Sequence, residues 1–271
     1  MDSRRFRILA GLAVVIALTG LYFYFYQAAP LPPGVNDIVV SAMTVAASAL
    51  AAAMSYLILR DHGRGAPPRA IWLYFTLALL GWFLGEALWM MAYFAGGEAA
   101  AEWGAADILW ILSYFFFAAS LYRQYNLIFR PEKRQAASFL VLAILATLLF
   151  AYLYGIWLGG ADKHNLSLLV FTNAFYVMGD IALSIGALVV ARAFHSGALA
   201  RPWYGLLLFS LSDLLYAQLD ARSAYAWSVE QGNLLTTITD TTYFAAYLFI
   251  AFGCYLQVIL LNYGPRLKHD H

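Results

Sequence analysis

Five acidic residues fall inside long apolar stretches of this chain: Glu86, Asp107, Asp180, Asp213 and Asp240. Aromatic residues accompany them at helical spacing. Glu86 lies between Trp82 and Trp89, at minus four and plus three. Asp107 has Trp110 and Tyr114 three and seven residues on, and Asp240 has Tyr243 and Tyr247 in the same pattern. Tyr216 follows Asp213 by three, with Asp220 four further, and Tyr176 precedes Asp180 by one turn. On a helix these spacings put ring and carboxylate on one face. A carboxylate lined by aromatic rings suits a cationic or amphipathic ligand, through charge pairing and the attraction of a cation to a ring face. Two carboxylates in unequal surroundings can instead divide general acid and base work between them.

A structural reading of the same residues stands beside these. Asp107 and Asp240 each open an apolar stretch, where a carboxylate caps free amides and favours the helix dipole. Trp110, Tyr243 and Trp227 are placed where an interfacial aromatic belt would put them. Glu86, Asp180 and Asp213 lie too deep for capping and can act as polar glue between helices.

The elements that must position these groups are membrane helices. Of 271 residues, 63% are hydrophobic and only 11% charged, whereas a soluble domain is nearer a quarter charged. Hydropathy gives eight spans, near 6–27, 36–60, 69–95, 105–129, 136–159, 166–194, 203–221 and 235–262. They are separated by short breaks such as Pro30–Gly34, Gly63–Pro68, Pro131 and Pro202. The first run ends in aromatics with no small-residue cleavage site, so it reads as an uncleaved helix. No segment between spans is long enough for a soluble domain, and none is expected after the last span. A group at the bilayer centre costs at least ~2.5 kcal/mol when charged, so each intramembrane acid asks for an explanation.

Basic residues orient the chain. With the N-terminus inside, inner segments hold Arg4, Arg5, Arg7, Arg60, Arg64, Arg69, Arg123, Arg130, Lys133, Arg134, Arg192, Arg201, Arg266 and Lys268, and outer segments only Lys163 and Arg222. That bias predicts eight helices in the plasma membrane with both termini cytoplasmic. It also places the acids on the outer side of the bilayer midplane or near it.

The two halves, 1–134 and 135–271, resemble each other at an offset of 133 residues. Asp107, Trp110, Tyr114, Ala118, Tyr122 and Gln124 map onto Asp240, Tyr243, Tyr247, Ala251, Tyr255 and Gln257. Phe6, Leu9, Ala10 and Ala13 map onto Phe139, Leu142, Ala143 and Ala146. The expected fold is all-α: a parallel duplicated 4+4 repeat, with an outward-facing acidic and aromatic cavity between the repeats.

Several chemistries are excluded. One cysteine, Cys254, rules out an internal disulfide. The histidines (His62, His164, His195, His269, His271) all fall outside the spans, so no intramembrane metal site is expected. No span holds a lysine for a Schiff base. The chain has no Gly-x-Ser-x-Gly elbow and no phosphate-binding glycine loop. No cofactor and no nucleic-acid partner are expected.

The stretch from Trp72 to Tyr122 contains Gly-Trp-Phe-Leu-Gly-Glu-Ala-Leu-Trp and Ala-Asp-Ile-Leu-Trp-Ile-Leu-Ser-Tyr. With Ser-Leu-Ser-Asp-Leu-Leu-Tyr-Ala at 210–217 and Asp-Thr-Thr-Tyr-Phe-Ala-Ala-Tyr at 240–247, it resembles the integral-membrane input domains found ahead of diguanylate cyclase (GGDEF) and histidine kinase modules in prokaryotic signalling proteins. The resemblance implies a non-catalytic sensor in which Glu86, Asp107, Asp213 and Asp240 occupy the characteristic acidic positions. Signalling would then pass through a separate partner protein. Gly85-Glu86, Ser212-Asp213 and Thr242-Tyr243-Phe244-Ala245 are also similar to motifs of lysoplasmalogenase-like eight-helix proteins. That resemblance implies a membrane lipid hydrolase with Glu86 and Asp213 as general acid and base, although Glu stands at 86 where that pattern has Asp. A small-solute transporter and a structural subunit of a membrane complex complete the alternatives.

Overall fold

The computed structural model describes residues 3–96, 104–129, 168–194, 197–220, 224–225 and 234–263, and among these there is no strand. Seven α-helices account for nearly all of them: α1 (Ser3–Ala28), α2 (Pro33–Asp61), α3 (Pro67–Gly96), α4 (Ala105–Phe129), α5 (Leu168–Ala193), α6 (Arg201–Asp220) and α7 (Leu234–Tyr263). A single 3₁₀ turn, Ala198–Ala200, leads into α6. All but α6 are long and apolar enough to cross a membrane. α6 has 20 residues, enough for ~30 Å of helix. Ser210, Ser212, Asp213, Gln218 and Asp220 make it more polar than its neighbours. The span expected at 136–159 lies outside the described residues.

Proline and glycine mark the breaks as the sequence suggests. Pro33 and Pro67 occupy first-turn positions, where the missing N–H costs nothing. Gly65 turns the α2–α3 connection at φ 91°, a conformation open to glycine. Arg69 closes the end of α2, its guanidinium donating to the carbonyls of Leu59 (3.1 Å) and His62 (2.7 Å). A cation on free C-terminal carbonyls is favourable both as a donor and against the helix dipole.

The helices form a closed ring. α2 packs on α3, α3 on α4, α4 on α5, α5 on α6, α6 on α7 and α7 back on α2; α1 lies outside, against α7 and α2. Hydroxyl bonds tie adjacent members together. Ser55 donates to Thr76 (3.1 Å), Ser120 to the Ile71 carbonyl (2.9 Å) and Ser212 to the Thr239 carbonyl (2.8 Å), while Ser184 and Ser210 share a bond of 2.8 Å. Such interhelical bonds contribute about 0.6–2 kcal/mol each in a membrane.

Glycines bring α4 closest to its neighbours. A Cβ on Gly85 would lie 2.4 Å from the Trp110 indole nitrogen, and one on Gly179 would lie 2.6 Å from the Tyr114 ring. These two positions accept no side chain without displacing a residue of the interior.

Most neighbours run antiparallel, but α4 and α5 run parallel. Asp107 faces Tyr176, Tyr114 faces Gly179 and Leu121 faces Gly186, so contacts advance in the same sense along both helices. Phe129 and Leu168 therefore lie at opposite ends of the ring. α2 and α7 are also parallel: Tyr22, which reaches Thr44, stacks on Phe244, and Asp61 meets Asn262.

Candidate functional site

Each of the five carboxylates Glu86, Asp107, Asp180, Asp213 and Asp240 faces a tyrosine. Glu86, on α3, accepts from the Tyr243 hydroxyl at 2.6 Å and from the Tyr247 hydroxyl at 3.1 Å, both on α7. The two phenol oxygens are 2.8 Å apart, and the Trp82 indole N–H donates to that of Tyr243 at 2.7 Å. A glutamate with this many donors is held in one geometry by three aromatic side chains.

A second unit lies across the ring. Tyr114, on α4, donates to Asp180 of α5 at 2.7 Å, and its hydroxyl lies 3.3 Å from Asp213 of α6. Asp180 is 1% exposed. One phenol carries one proton, so Tyr114 donates to only one of the two acids at a time.

Trp82 joins the units. Its ring meets Tyr114 edge-on at 5.1 Å and Phe209 edge-on at 4.6 Å, and Phe209 in turn touches Tyr243 and Tyr247 at 5.3 and 5.5 Å. Glu86, through Tyr243, and Asp213, through Tyr114, thus lie on either side of the Trp82 ring. No basic side chain pairs with any of them among the described residues; the one ion pair there, Arg60–Asp61, is at the end of α2.

Asp107 and Asp240 take different parts from each other. Asp107 accepts the Gly104 backbone N–H at 2.8 Å, so it caps α4 as its position suggests. Its other oxygen accepts from Tyr176 of α5 at 2.7 Å. Asp240 lies in the second turn of α7, beyond capping range of the first free amides. Its oxygens are taken by Tyr26 of α1 and by Tyr225, at 3.0 and 3.2 Å from the latter. Tyr225 lies in the chain between α6 and α7. Burial first, and the Asp240 charge second, push its ionisation well above the ordinary tyrosine range, so it remains a donor.

The structure thus brings together Glu86, Trp82, Tyr243 and Tyr247 in one unit and Asp180, Asp213 and Tyr114 in the other, with Asp107 and Asp240 at the rim. Trp89 stacks on Tyr93 of its own helix at 5.3 Å. Tyr216 is exposed and packs edge-on against Tyr225 at 4.6 Å. Trp110 lies against Gly85, and its indole N–H is a buried donor with no partner among the described residues. Tyr26, Tyr225 and Phe209 belong to the site although spacing did not select them. Tyr26 sits in the aromatic run that closes the first span, and no local pattern ties that run to an acid more than 200 residues away.

All these acids and phenols occupy the half of the ring nearest the end of α1 and the start of α4. The other half is closed by aromatics: Trp72, Phe75, Phe117 and Trp203 are each at most 4% exposed and pack edge-on or tilted at 5.2–6.3 Å.

Comparison with protein families, with curated proteins and with solved structures finds no match for the chain. The functional reading therefore rests on this geometry and on the sequence patterns.

Proposed function

We propose that the chain is a polytopic membrane sensor or ligand-binding protein, whose interior acids and tyrosines hold a small cationic or amphipathic ligand. One observation carries the reading: the polar network fills one half of the ring while an aromatic plug fills the other. A transporter needs a path through both halves, and a receptor needs access from one side only. The Trp110 N–H, a buried donor with no partner among the described residues, supports an occupant that also carries a hydrogen-bond acceptor.

Eight spans, a 4+4 repeat and cytoplasmic termini form part of the proposal. The parallel contacts α4–α5 and α7–α2 are exchanged by a two-fold relation between halves, as are α2–α3 with α5–α6 and α3–α4 with α6–α7. Under that relation Tyr247 and Tyr114 are equivalent, and each faces an acid of the corresponding helix, Glu86 on α3 and Asp213 on α6, although the two acids stand at different positions along those helices. With the N-terminus inside, the acidic half faces outward in the plasma membrane. The signal would pass to a separate partner.

The test is thermal stability of the detergent-purified chain against a panel of organic cations. A ligand at a hundred times its Kd should stabilise the fold by ~2.7 kcal/mol, and Glu86→Gln with Asp213→Asn should abolish the shift. The absence of any shift across the panel would count against the reading. Lipid hydrolysis is the second reading, favoured by two phenol-held carboxylates, Glu86 and Asp213, whose tyrosines both touch Trp82. It requires turnover of a vinyl-ether lysolipid that is lost in Glu86→Gln.

A further inference from the structure

α1 is the one described helix outside the ring. Of its apolar stretch 11% is buried, against 72% for α7. Toward the start of α1 the attachment is apolar: Gly11 lies against Phe252, and Val15 is buried. Toward its end the attachment is polar. Tyr22 stacks on Phe244 at 4.3 Å and accepts from Thr44, the Phe25 carbonyl accepts from Asn36 at 3.0 Å, and Gln27 accepts from Thr237 at 2.9 Å. Tyr26 completes this end by donating to Asp240, so α1 is held by a rim acid of the candidate site.

That hold is open to competition. Tyr26 and Tyr225 both reach Oδ2 of Asp240, Tyr225 at 3.0 Å. Tyr225 also lies 3.2 Å from Oδ1 and can shift to it, whereas Tyr26 has Oδ2 alone. Asp240 itself is partly exposed. A cation that pairs with Oδ2 therefore takes the place of Tyr26, because a charged donor binds a carboxylate more strongly than a neutral phenol does.

The backbone beside this contact is strained. Ala29, which joins α1 to α2, has φ 41°. A residue with a Cβ is crowded in that left-handed region, and Pro30 favours extended backbone at the residue before it. Such strain persists only where surrounding contacts impose it. Here those contacts are the ones made by Tyr22 to Gln27, so freeing the end of α1 lets Ala29 relax.

We propose that α1 is a latched helix: Tyr26 and a cationic ligand compete for Asp240, and a ligand on Asp240 frees the end of α1 from the ring. The ring need not open, because α2 to α7 close on one another without α1. α1 has 26 residues, about 39 Å of helix, so its movement is delivered at the opposite end of the molecule from the acids. The latch is thus the route from the site to a separate partner, and it rests on the reading of these acids as a cation site.

Linkage makes the competition reciprocal: breaking the latch tightens the cation by the factor with which the cation weakens the latch. The test uses the full chain with Cys254→Ser in detergent, nitroxide labels at Phe23→Cys and Ile108→Cys, both exposed, and benzyltrimethylammonium as the probe. Tyr26→Phe without the cation, and the parent saturated with it, should each shift or broaden the distance between the labels. A control pair within the ring, Ile108→Cys with Leu235→Cys, should stay fixed. Tyr26→Phe should bind the cation about tenfold more tightly. Ala29→Gly, which removes the strain of the latched form, should bind it more weakly. An unchanged label distance in Tyr26→Phe, or an affinity there that is equal or lower, would overturn the inference. A cation that binds the parent without moving α1 would also overturn it and leave the ligand reading standing. If the parent binds no cation, the ligand reading fails, and the label distance in Tyr26→Phe alone decides whether the latch exists.

Discussion

The Trp82 indole stands edge-on to the Phe209 ring, with centroids 4.6 Å apart and planes at 87°. The two belong to α3 and α6, helices that are not neighbours in the ring, so this contact fills its centre and links the two acid–phenol units. Trp82 also orients Tyr243 by a hydrogen bond. Replacing it should loosen both units at once. Trp82→Ala is expected to lower stability by about 3–5 kcal/mol, read as a fall in the unfolding midpoint in detergent, with Trp82→Phe intermediate.

Tyr114 serves Asp180 and Asp213 with one hydroxyl. Tyr114→Phe should cost about 1–3 kcal/mol by leaving a buried acid without its donor. Adding Asp180→Asn should cost less than the sum of the two single changes. A double-mutant cycle measures that coupling, and strict additivity would show that the Tyr114–Asp180 bond contributes little.

Gly85 gives Trp110 its place. Gly85→Ala puts a methyl group 2.4 Å from the present position of the indole nitrogen. The expected cost is about 1–3 kcal/mol from overpacking, visible in thermal unfolding and in a changed tryptophan emission.

Asp107 combines a cap with a phenol bond. Asp107→Ala should destabilise α4 by about 0.5–2 kcal/mol for the cap alone, whereas Asp107→Asn, which can still accept the Gly104 amide, should retain most of it. Hydrogen exchange at the start of α4 distinguishes the two variants.

Much of this was legible in the chain. Segregated charge and apolar runs of spanning length led to an all-helical membrane protein, and the described residues form helices of that kind. The acids stood out because carboxylates are rare in such runs. Their partners did not, because helical spacing tells which residues share a face and not which helix that face meets. Tyr243 and Tyr247 follow Asp240 on one stripe, yet they bond Glu86 of another helix. Asp240 turns to Tyr26 and Tyr225, one on the outer helix and one in a connection. Capping, a local interaction, was readable at Asp107; α7 begins at Leu234, six residues before Asp240, so that acid lies past the first turn.

The central claim is that these acids and phenols hold a ligand. Native mass spectrometry of the chain purified in mild detergent, with identification of whatever remains bound, tests it most directly. The account predicts one retained small molecule or one lipid class, lost when Glu86→Gln and Asp213→Asn are combined. An empty chain, equally stable with and without both substitutions, would contradict it and leave the network as interhelical glue.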